Sequence, residues 1–184
     1  MNSPAAIAII VVIVIIVFVA LWQRDRSRKL RAKFGPEYDR LVQQERGDKR
    51  RAEAILMDRQ RRVGKLNIQR LSPEAANRFA GEWRMVQETF VDDPRGAVSR
   101  ADMLVNEALQ ARGYPMGDFE QRAADISVEH PGVVENYRIA HDVAAHAQSG
   151  HATTEDLRKA MQRYRNLFED ILDVPVTHRE EVHQ

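Results

Sequence analysis

The chain has 184 residues, 43% of them hydrophobic, a length that allows one domain of ordinary size with an appendage. It contains no cysteine, which excludes disulfides, thiol nucleophiles, iron–sulfur ligation and most structural zinc sites. The 28 basic and 27 acidic side chains leave a net charge of +1, and such a balance gives no bulk attraction to nucleic acid.

After a short tail over residues 1–4, residues 5–22 form an apolar run of eighteen residues without a charge, glycine or proline. As an α-helix the run is about 27 Å long, close to the roughly 30 Å hydrocarbon core of a bilayer. Its Ile and Val content would suit a strand in water, but an isolated strand cannot satisfy its backbone groups in lipid. Trp22 at the end is typical of an interfacial anchor. The sequence therefore predicts a transmembrane helix over 5–22.

The flanks of this run favour a permanent anchor over a cleaved signal peptide. A signal peptide has basic residues before the apolar stretch and a small-residue cleavage site after it. Residues 1–4 contain no basic side chain, and the run continues directly into a basic block. Because basic residues beside a bilayer attract anionic headgroups, we predict lipid-headgroup contacts for the whole block. Its members are Arg24, Arg26, Arg28, Lys29, Arg31 and Lys33.

The same basic block predicts the orientation of the chain in the membrane. Short flanks rich in Lys and Arg stay on the cytoplasmic side, so the amino terminus is expected outside and the rest of the chain in the cytoplasm. Residues 23–71 carry sixteen basic and seven acidic side chains, whereas residues 72–184 carry twelve basic and twenty acidic ones. We expect the acidic part to be repelled by anionic lipid. Aromatic residues are not interleaved with the basic clusters, so no nucleic-acid partner is predicted.

Residues 23–71 are predicted as a basic juxtamembrane region followed by a helical stalk. Gly35-Pro36 ends the first helix or begins the next, since proline suits a first helical turn. From residue 37 to about residue 66 the chain is charged and helix-favouring, with sparse apolar positions. Its rough heptad spacing is interrupted, which argues against a long coiled coil and leaves homo-oligomerisation through the stalk open.

Residues 72–172 carry helix signals throughout. Ser72 and Asp93 each stand in an N-cap position before a proline, Asp118 has capping-box spacing, and Gly113 is placed as a C-terminal glycine. Apolar residues recur at helical spacing, and no segment alternates long enough to be a strand. The sequence thus predicts an all-α protein whose residues 72–172 form an acidic bundle of four or five helices, with a disordered tail over 173–184.

The chain offers no recognisable catalytic, cofactor or metal motif. His141 and His146 are five residues apart and so face different sides of a helix, and neither H-E-x-x-H, G-x-S-x-G nor a phosphate-binding glycine loop is present. His141 falls on an apolar stripe, where a buried histidine with one hydrogen bond is the expected identity. We predict no enzyme. The alternative is an enzyme in which His130, His141 or His151 meets an acid only in the fold.

The most distinctive loop is Tyr114-Pro115-Met116, which follows Gly113. An aromatic ring beside a flexible thioether is the sort of group that receives a protein partner, and the three residues are our candidate partner contacts. The other interpretation, which we favour, is that Tyr114 folds back and covers the end of the bundle.

Several segments resemble an uncharacterised family of short bacterial proteins with an amino-terminal membrane segment, often described as hypothetical or secreted. They are EWR at 82–84, FVDDP at 90–94, RGYP at 112–115, DFEQRAADISV at 118–128, VENYR at 134–138 and TEDLR at 154–158. The similarity spans nearly all of residues 36–172. It implies a bacterial inner-membrane protein and nothing catalytic. The description of family members as secreted conflicts with the orientation that the basic block predicts. We adopt the orientation predicted from the charges.

Together these observations predict a single-pass adaptor in the bacterial inner membrane that binds lipid and an unidentified protein partner. The alternatives are an envelope-facing structural protein, if the orientation is reversed, and an enzyme of unknown reaction.

Overall fold

A computed structural model describes residues 3–173, with side chains from residue 8 onward, and shows helices but no strand among them. The predicted all-α class and the helical bundle are thereby confirmed. The chain divides into two compact units, Met1–Met57 and Asp58–Gln184, with the boundary inside the third helix. The helices are α1 (Ser3–Phe34), α2 (Pro36–Gln44), α3 (Lys49–Val63), α4 (Pro73–Thr89), α5 (Pro94–Arg112), α6 (Phe119–Glu129), α7 (Val134–Gln148) and α8 (Thr154–Leu172). Beyond Asp173, the predicted disordered tail lies outside the described residues.

The apolar run of the first unit lies in α1, which is long and apolar enough to cross a membrane. The most apolar stretch of this helix has a mean hydropathy of 2.3, and none of it is buried inside the structure. Its large side chains from Ile9 to Trp22 are between 41% and 69% exposed. Exposed apolar side chains at this density have no stable place in water.

The segment predicted as a stalk contains two helices, α2 and α3, separated by a tight turn. Gly35 ends α1 with a φ of +48°, and Pro36 begins α2, so the glycine and proline have both predicted roles. Arg46 and Gly47 also have positive φ and reverse the chain before α3. Ser27 of α1 donates a 2.6 Å hydrogen bond to Glu53 of α3. Within the first unit, therefore, residues 36–57 fold back on α1.

This fold-back buries the sparse apolar positions of the segment. The buried apolar side chains of the first unit are Leu30, Phe34, Tyr38, Leu41, Ala52 and Leu56. The side chains of α2 and α3 thus form a small core with the end of α1.

In the second unit, the predicted caps begin and end the helices. Ser72, Asp93 and Asp118 each accept a hydrogen bond from the backbone N–H three residues later, at the starts of α4, α5 and α6. Thr153 begins α8 in a capping box with Asp156. Each cap satisfies helix-terminal N–H groups that have no partner within the helix.

The bundle core lies between α4, α5, α7 and α8, and α6 packs against α7. Trp83 of α4 stacks on Phe168 of α8 with ring centroids 4.8 Å apart. The compact unit also includes residues 58–71, which the sequence placed in the stalk. Arg62 donates a 2.5 Å hydrogen bond to Asp125 of α6, and the Gln69 N–H donates one of 2.8 Å to the Arg112 carbonyl.

Replacing Gly113 by alanine is expected to lower the free energy of unfolding of the bundle by about 2 kcal/mol. Gly113 has a φ of +97°, and an added Cβ would stand 2.4 Å from the backbone oxygen of Asn67. The matched control is Gly117→Ala, because a Cβ there meets no atom within 4 Å. Urea titrations of the two variants should separate them, with Gly117→Ala within about 0.5 kcal/mol of the parent. Equal losses at the two positions would contradict this account.

Candidate functional site

A polar network lies inside the bundle around Asp102 of α5. The Asp102 carboxylate accepts a 2.6 Å hydrogen bond from the Tyr164 hydroxyl of α8, and His141 Nδ1 of α7 lies 3.1 Å from the same oxygen. Asn106, one turn further along α5, donates to the second carboxylate oxygen at 3.3 Å. Three helices therefore converge on one carboxylate.

Asn106 extends this network to α6. The Tyr137 hydroxyl donates to the Asn106 side-chain oxygen at 2.9 Å, and Arg122 Nε donates to the Tyr137 hydroxyl at 2.8 Å. These hydrogen bonds form a series from the Arg122 guanidinium to the Asp102 carboxylate. Within the series, the Tyr137 hydroxyl and the Asn106 amide each accept one hydrogen bond and donate one. We call Asp102, Asn106, Arg122, Tyr137, His141 and Tyr164 the Asp102 network.

The electrostatics of the network keep Asp102 ionised and its two tyrosines neutral. Burial raises the pKa of the Asp102 carboxyl, but hydrogen bonds from His141 and Tyr164 more than offset this, and the net pKa lies below its usual value. Burial and the neighbouring Asp102 carboxylate raise the pKa of Tyr164. Burial raises the pKa of Tyr137 to about 12, with Arg122 opposing the shift. The network thus contains a fixed negative charge surrounded by donors.

The imidazole of His141 is a partly accessible member of the network. Its side chain is 31% exposed, and its ring stacks on Phe119 with centroids 3.8 Å apart. The predicted single hydrogen bond is present, to Asp102, but the side chain is half-buried rather than buried. A histidine oriented by a carboxylate is a common general base, which is the geometry that the enzyme alternative requires.

A second polar cluster surrounds the buried guanidinium of Arg112 at the end of α5. The guanidinium donates to the backbone carbonyls of Gln69 at 3.2 Å and Ile171 at 2.9 Å. It also lies 3.6 Å from the Glu129 carboxylate and 3.2 Å from His130 Nε2. Arg112 and His130 are 6% and 8% exposed. We call these five residues, with Asp170, the Arg112 cluster.

The contacts of His130 define its tautomer. A guanidinium has no acceptor, so His130 Nε2 must accept from Arg112. The Nδ1 atom then carries the proton and donates to Asp170 at 2.5 Å. Both ring nitrogens are occupied by protein groups. The sequence placed His130 in a loop, and it does cap α6, but its burial and its partners were not foreseen.

The predicted partner loop is only partly accessible. Tyr114 is 3% exposed, and its hydroxyl donates a 2.9 Å hydrogen bond to Glu129, as expected if this side chain covers the bundle. Burial and the Glu129 carboxylate raise its pKa. Pro115 and Met116 are exposed. A partner could therefore contact Pro115 and Met116 without any change in the bundle.

A groove between α4 and α5 is a second candidate contact surface, which the sequence did not reveal. It holds two cavities of about 320 and 140 Å³, both lined by Glu82. Arg100 donates hydrogen bonds to Glu82 at 3.1 Å and to Glu107 at 2.8 Å, across the groove and along α5. Met85 lines the smaller cavity and is 60% exposed. We call this surface the α4–α5 groove.

In the first unit the predicted headgroup contacts follow the apolar run of α1. Arg26 is partly buried and the other five are exposed. Lys29 pairs with Asp25 at 2.8 Å and Arg31 with Asp39 at 3.2 Å. We call the six residues the basic collar.

The histidines do not gather at one place. Within the described range, no three His, Asp or Glu side chains stand close enough together to hold a metal ion. His146 and His151 contact the Asp142 carbonyl and the Ser149 hydroxyl respectively, whereas His178 and His183 lie outside that range. Comparison of the chain with protein-family models, with curated proteins and with solved structures gives no match.

Proposed function

We propose that the protein is a single-pass membrane-tethered adaptor of the bacterial inner membrane, without catalytic activity of its own. The observation that carries the proposal is the exposure of α1, whose apolar side chains find no cover inside the structure. Burying about 25 cal/mol per Å² of such surface in lipid gives a large driving force for insertion. The basic collar supports a cytoplasmic location for the remainder of the chain, because Lys and Arg flanks stay inside.

The α4–α5 groove is the proposed protein-binding surface, with Pro115 and Met116 as a second contact. Met85 provides an exposed apolar side chain, and the Glu82–Arg100 pair provides charges of both signs beside it. Aromatic or aliphatic anchors surrounded by polar groups are typical of protein interfaces. The Asp102 network and the Arg112 cluster are assigned to the stability of the bundle, since their partners come from separate helices.

The orientation is tested with two reporters fused in turn to the carboxyl terminus, one active only in the cytoplasm and one only outside it. We expect the cytoplasmic reporter to be active and the chain to stay in the membrane fraction after alkaline extraction. Activity of the external reporter would reject the adaptor as stated and favour the envelope-facing alternative.

The binding surface is tested by placing a photo-cross-linking residue at Met85, at Met116 or at Asn166, an exposed position of α8. We expect Met85 to give a discrete cross-linked protein in cells, with Met116 giving the same partner or none. Asn166 is the matched control for exposure. Cross-linking from Asn166 that equals that from Met85 would contradict the assignment of the groove.

A further inference from the structure

The first unit contains a cavity of about 450 Å³ at the end of the apolar run, where α3 begins beside α1. Its lining includes Trp22, Arg26 and Ser27 from α1, and Lys49, Arg50 and Glu53 from α3. We call it the Arg26 pocket. Three of these side chains are cationic and one is anionic, so the lining has a formal charge of +2. Lys49 and Arg50 are not part of the basic collar, and only the fold-back of α3 brings them to Arg26.

The three cations of the pocket have no carboxylate partner among the residues that the structure describes. Among the described residues, the Arg26 guanidinium has a polar contact with the Met57 sulfur and lies 5.9 Å from the ring of Trp22. Its buried Nε has no hydrogen-bond partner. A thioether is a weak acceptor, which leaves the guanidinium poorly satisfied.

Two other cations of the same unit, in contrast, are paired with carboxylates. Arg51, adjacent to Arg50, pairs with Glu45 at 2.7 Å, and Arg31 pairs with Asp39 at 3.2 Å. The single carboxylate of the pocket is engaged elsewhere, because Glu53 Oε1 accepts hydrogen bonds from Ser27 at 2.6 Å and from Tyr38 at 2.9 Å. The hydroxyl donors leave Glu53 without an ion pair to the pocket cations, and the lining keeps a net positive charge after the negative charge of Glu53 is counted.

The start of α3 adds a further attraction for an anion. Lys49 is the first residue of this fifteen-residue helix, so the first-turn N–H groups and the positive end of the helix dipole are at the pocket. Asp48 accepts a hydrogen bond from only one of these groups, the Arg51 N–H, at 3.1 Å. The guanidinium fork of Arg26 and the point charge of Lys49 are both suited to a phosphate.

The depth of the pocket identifies which anion can reach it. Trp22 is the last residue of the apolar run, and Arg26 lies one turn beyond it, about 6 Å along the helix axis. The headgroup layer on each side of a bilayer is roughly 5 to 7 Å thick. A phosphate in that layer is at the level of Arg26, and the exposed ring of Trp22 can pack against the glycerol and the upper acyl chain.

We propose that the Arg26 pocket binds the phosphate-bearing headgroup of an anionic phospholipid from the leaflet next to Trp22. The inference rests on the proposed function only in requiring that α1 spans a membrane. It goes beyond the diffuse attraction of the basic collar, since it assigns a defined site that includes Lys49 and Arg50.

The test uses the full chain in mild detergent and measures bound phosphatidylglycerol by native mass spectrometry. The pocket variant carries Arg26→Gln, Lys49→Gln and Arg50→Gln. The control carries Lys65→Gln, Arg84→Gln and Lys159→Gln, which remove the same charge from exposed positions that belong neither to the basic collar nor to the pocket lining. We expect the dissociation constant for phosphatidylglycerol to rise at least about tenfold in the pocket variant and to stay within about twofold in the control.

Two comparisons make the result decisive. Equal weakening in both variants would overturn the pocket and leave only diffuse attraction. Tighter binding of inorganic phosphate alone than of phosphatidylglycerol would overturn the lipid assignment in favour of a soluble phosphate, whereas tighter binding of the lipid supports it. Circular dichroism shows whether the variants keep their helices. Loss of the parent chain from the membrane fraction would reject the tether itself, so the two failures are distinguishable.

Discussion

Replacing Arg112 by alanine is expected to lower the free energy of unfolding of the bundle by about 4 kcal/mol. The guanidinium is 6% exposed and joins three parts of the second unit: the segment before α4, the end of α6 and the end of α8. Its removal leaves the Gln69 and Ile171 carbonyls without this donor. It also separates the Glu129 carboxylate, which is 37% exposed, from its cation, so the lost packing and hydrogen bonds of the buried guanidinium account for most of the loss.

Arg112→Lys is expected to be nearly as harmful, with a loss of about 2 to 3 kcal/mol, because an ammonium cannot reproduce the fork that reaches two carbonyls at once. Urea titration of the full chain in detergent, followed by circular dichroism, measures the loss. Arg95→Ala is the matched control, since Arg95 is exposed and its one bond, to the Gly150 carbonyl, is 3.5 Å long. The control should stay within about 0.5 kcal/mol of the parent. A loss below about 1 kcal/mol for Arg112→Ala would contradict the role of the cluster.

The Arg112 cluster also shows where sequence-based prediction ends. The caps at Ser72, Asp93 and Thr153 depend on residues three positions apart, so a local pattern is enough to place them. The partners of Arg112 at Gln69 and Ile171 are 43 and 59 positions away. No periodicity in the chain encodes such distances, and a charged residue in the last turn of α5 was indistinguishable from an ordinary helix end.

The positions of the apolar segments could be predicted from the sequence more accurately than the helices against which these segments pack. The run over 5–22 is apolar by composition alone, and α1 follows from it. Among the sparse apolar positions of the predicted stalk, Tyr38, Leu41 and Leu56 are buried, whereas Val42 and Ile55 are only half-buried. The chain reverses at Arg46 and Gly47, and in the sequence the glycine marked only an interruption of the stalk, so the sequence did not reveal that these residues pack against α1. The Arg26 pocket depends on this reversal and was therefore beyond prediction.

The Asp102 network gave a partial sequence signal. Tyr164 and His141 both fall on apolar stripes, where a polar group needs a hydrogen-bond partner. Asp102 lies between Ala101 and Leu104, two buried residues of α5. A carboxylate at such a position indicates that it has a hydrogen-bond partner inside the bundle. The identity of the contact requires the fold, since His141 and Tyr164 are 39 and 62 positions away.

Replacing Asp102 by alanine is expected to lower the free energy of unfolding by about 3 kcal/mol near neutral pH. The Tyr164 ring is fully buried, so its hydroxyl has no water to replace the lost acceptor. In Asp102→Asn an acceptor remains but the charge is lost, and we expect a smaller loss of about 1 to 2 kcal/mol. A double-mutant cycle with Tyr164→Phe should show a coupling of about 1 to 2 kcal/mol between the two side chains, because they share one hydrogen bond.

The pH dependence of the unfolding free energy distinguishes the contribution of the negative charge of Asp102 from that of the size and shape of its side chain. The pKa of this carboxyl is lowered in the folded state, so its contribution to stability is fully present above the usual aspartate pKa of about 3.9 and is lost as the pH falls through the folded value. The difference in unfolding free energy between the parent and Asp102→Asn should therefore shrink as the pH falls below about 4. Asp142→Asn, an exposed change of equal charge on α7, is the matched control and should stay within about 0.5 kcal/mol of the parent near neutral pH. A gap between the parent and Asp102→Asn that stays constant down to about pH 3 would show that the ionised carboxylate does not stabilise the network.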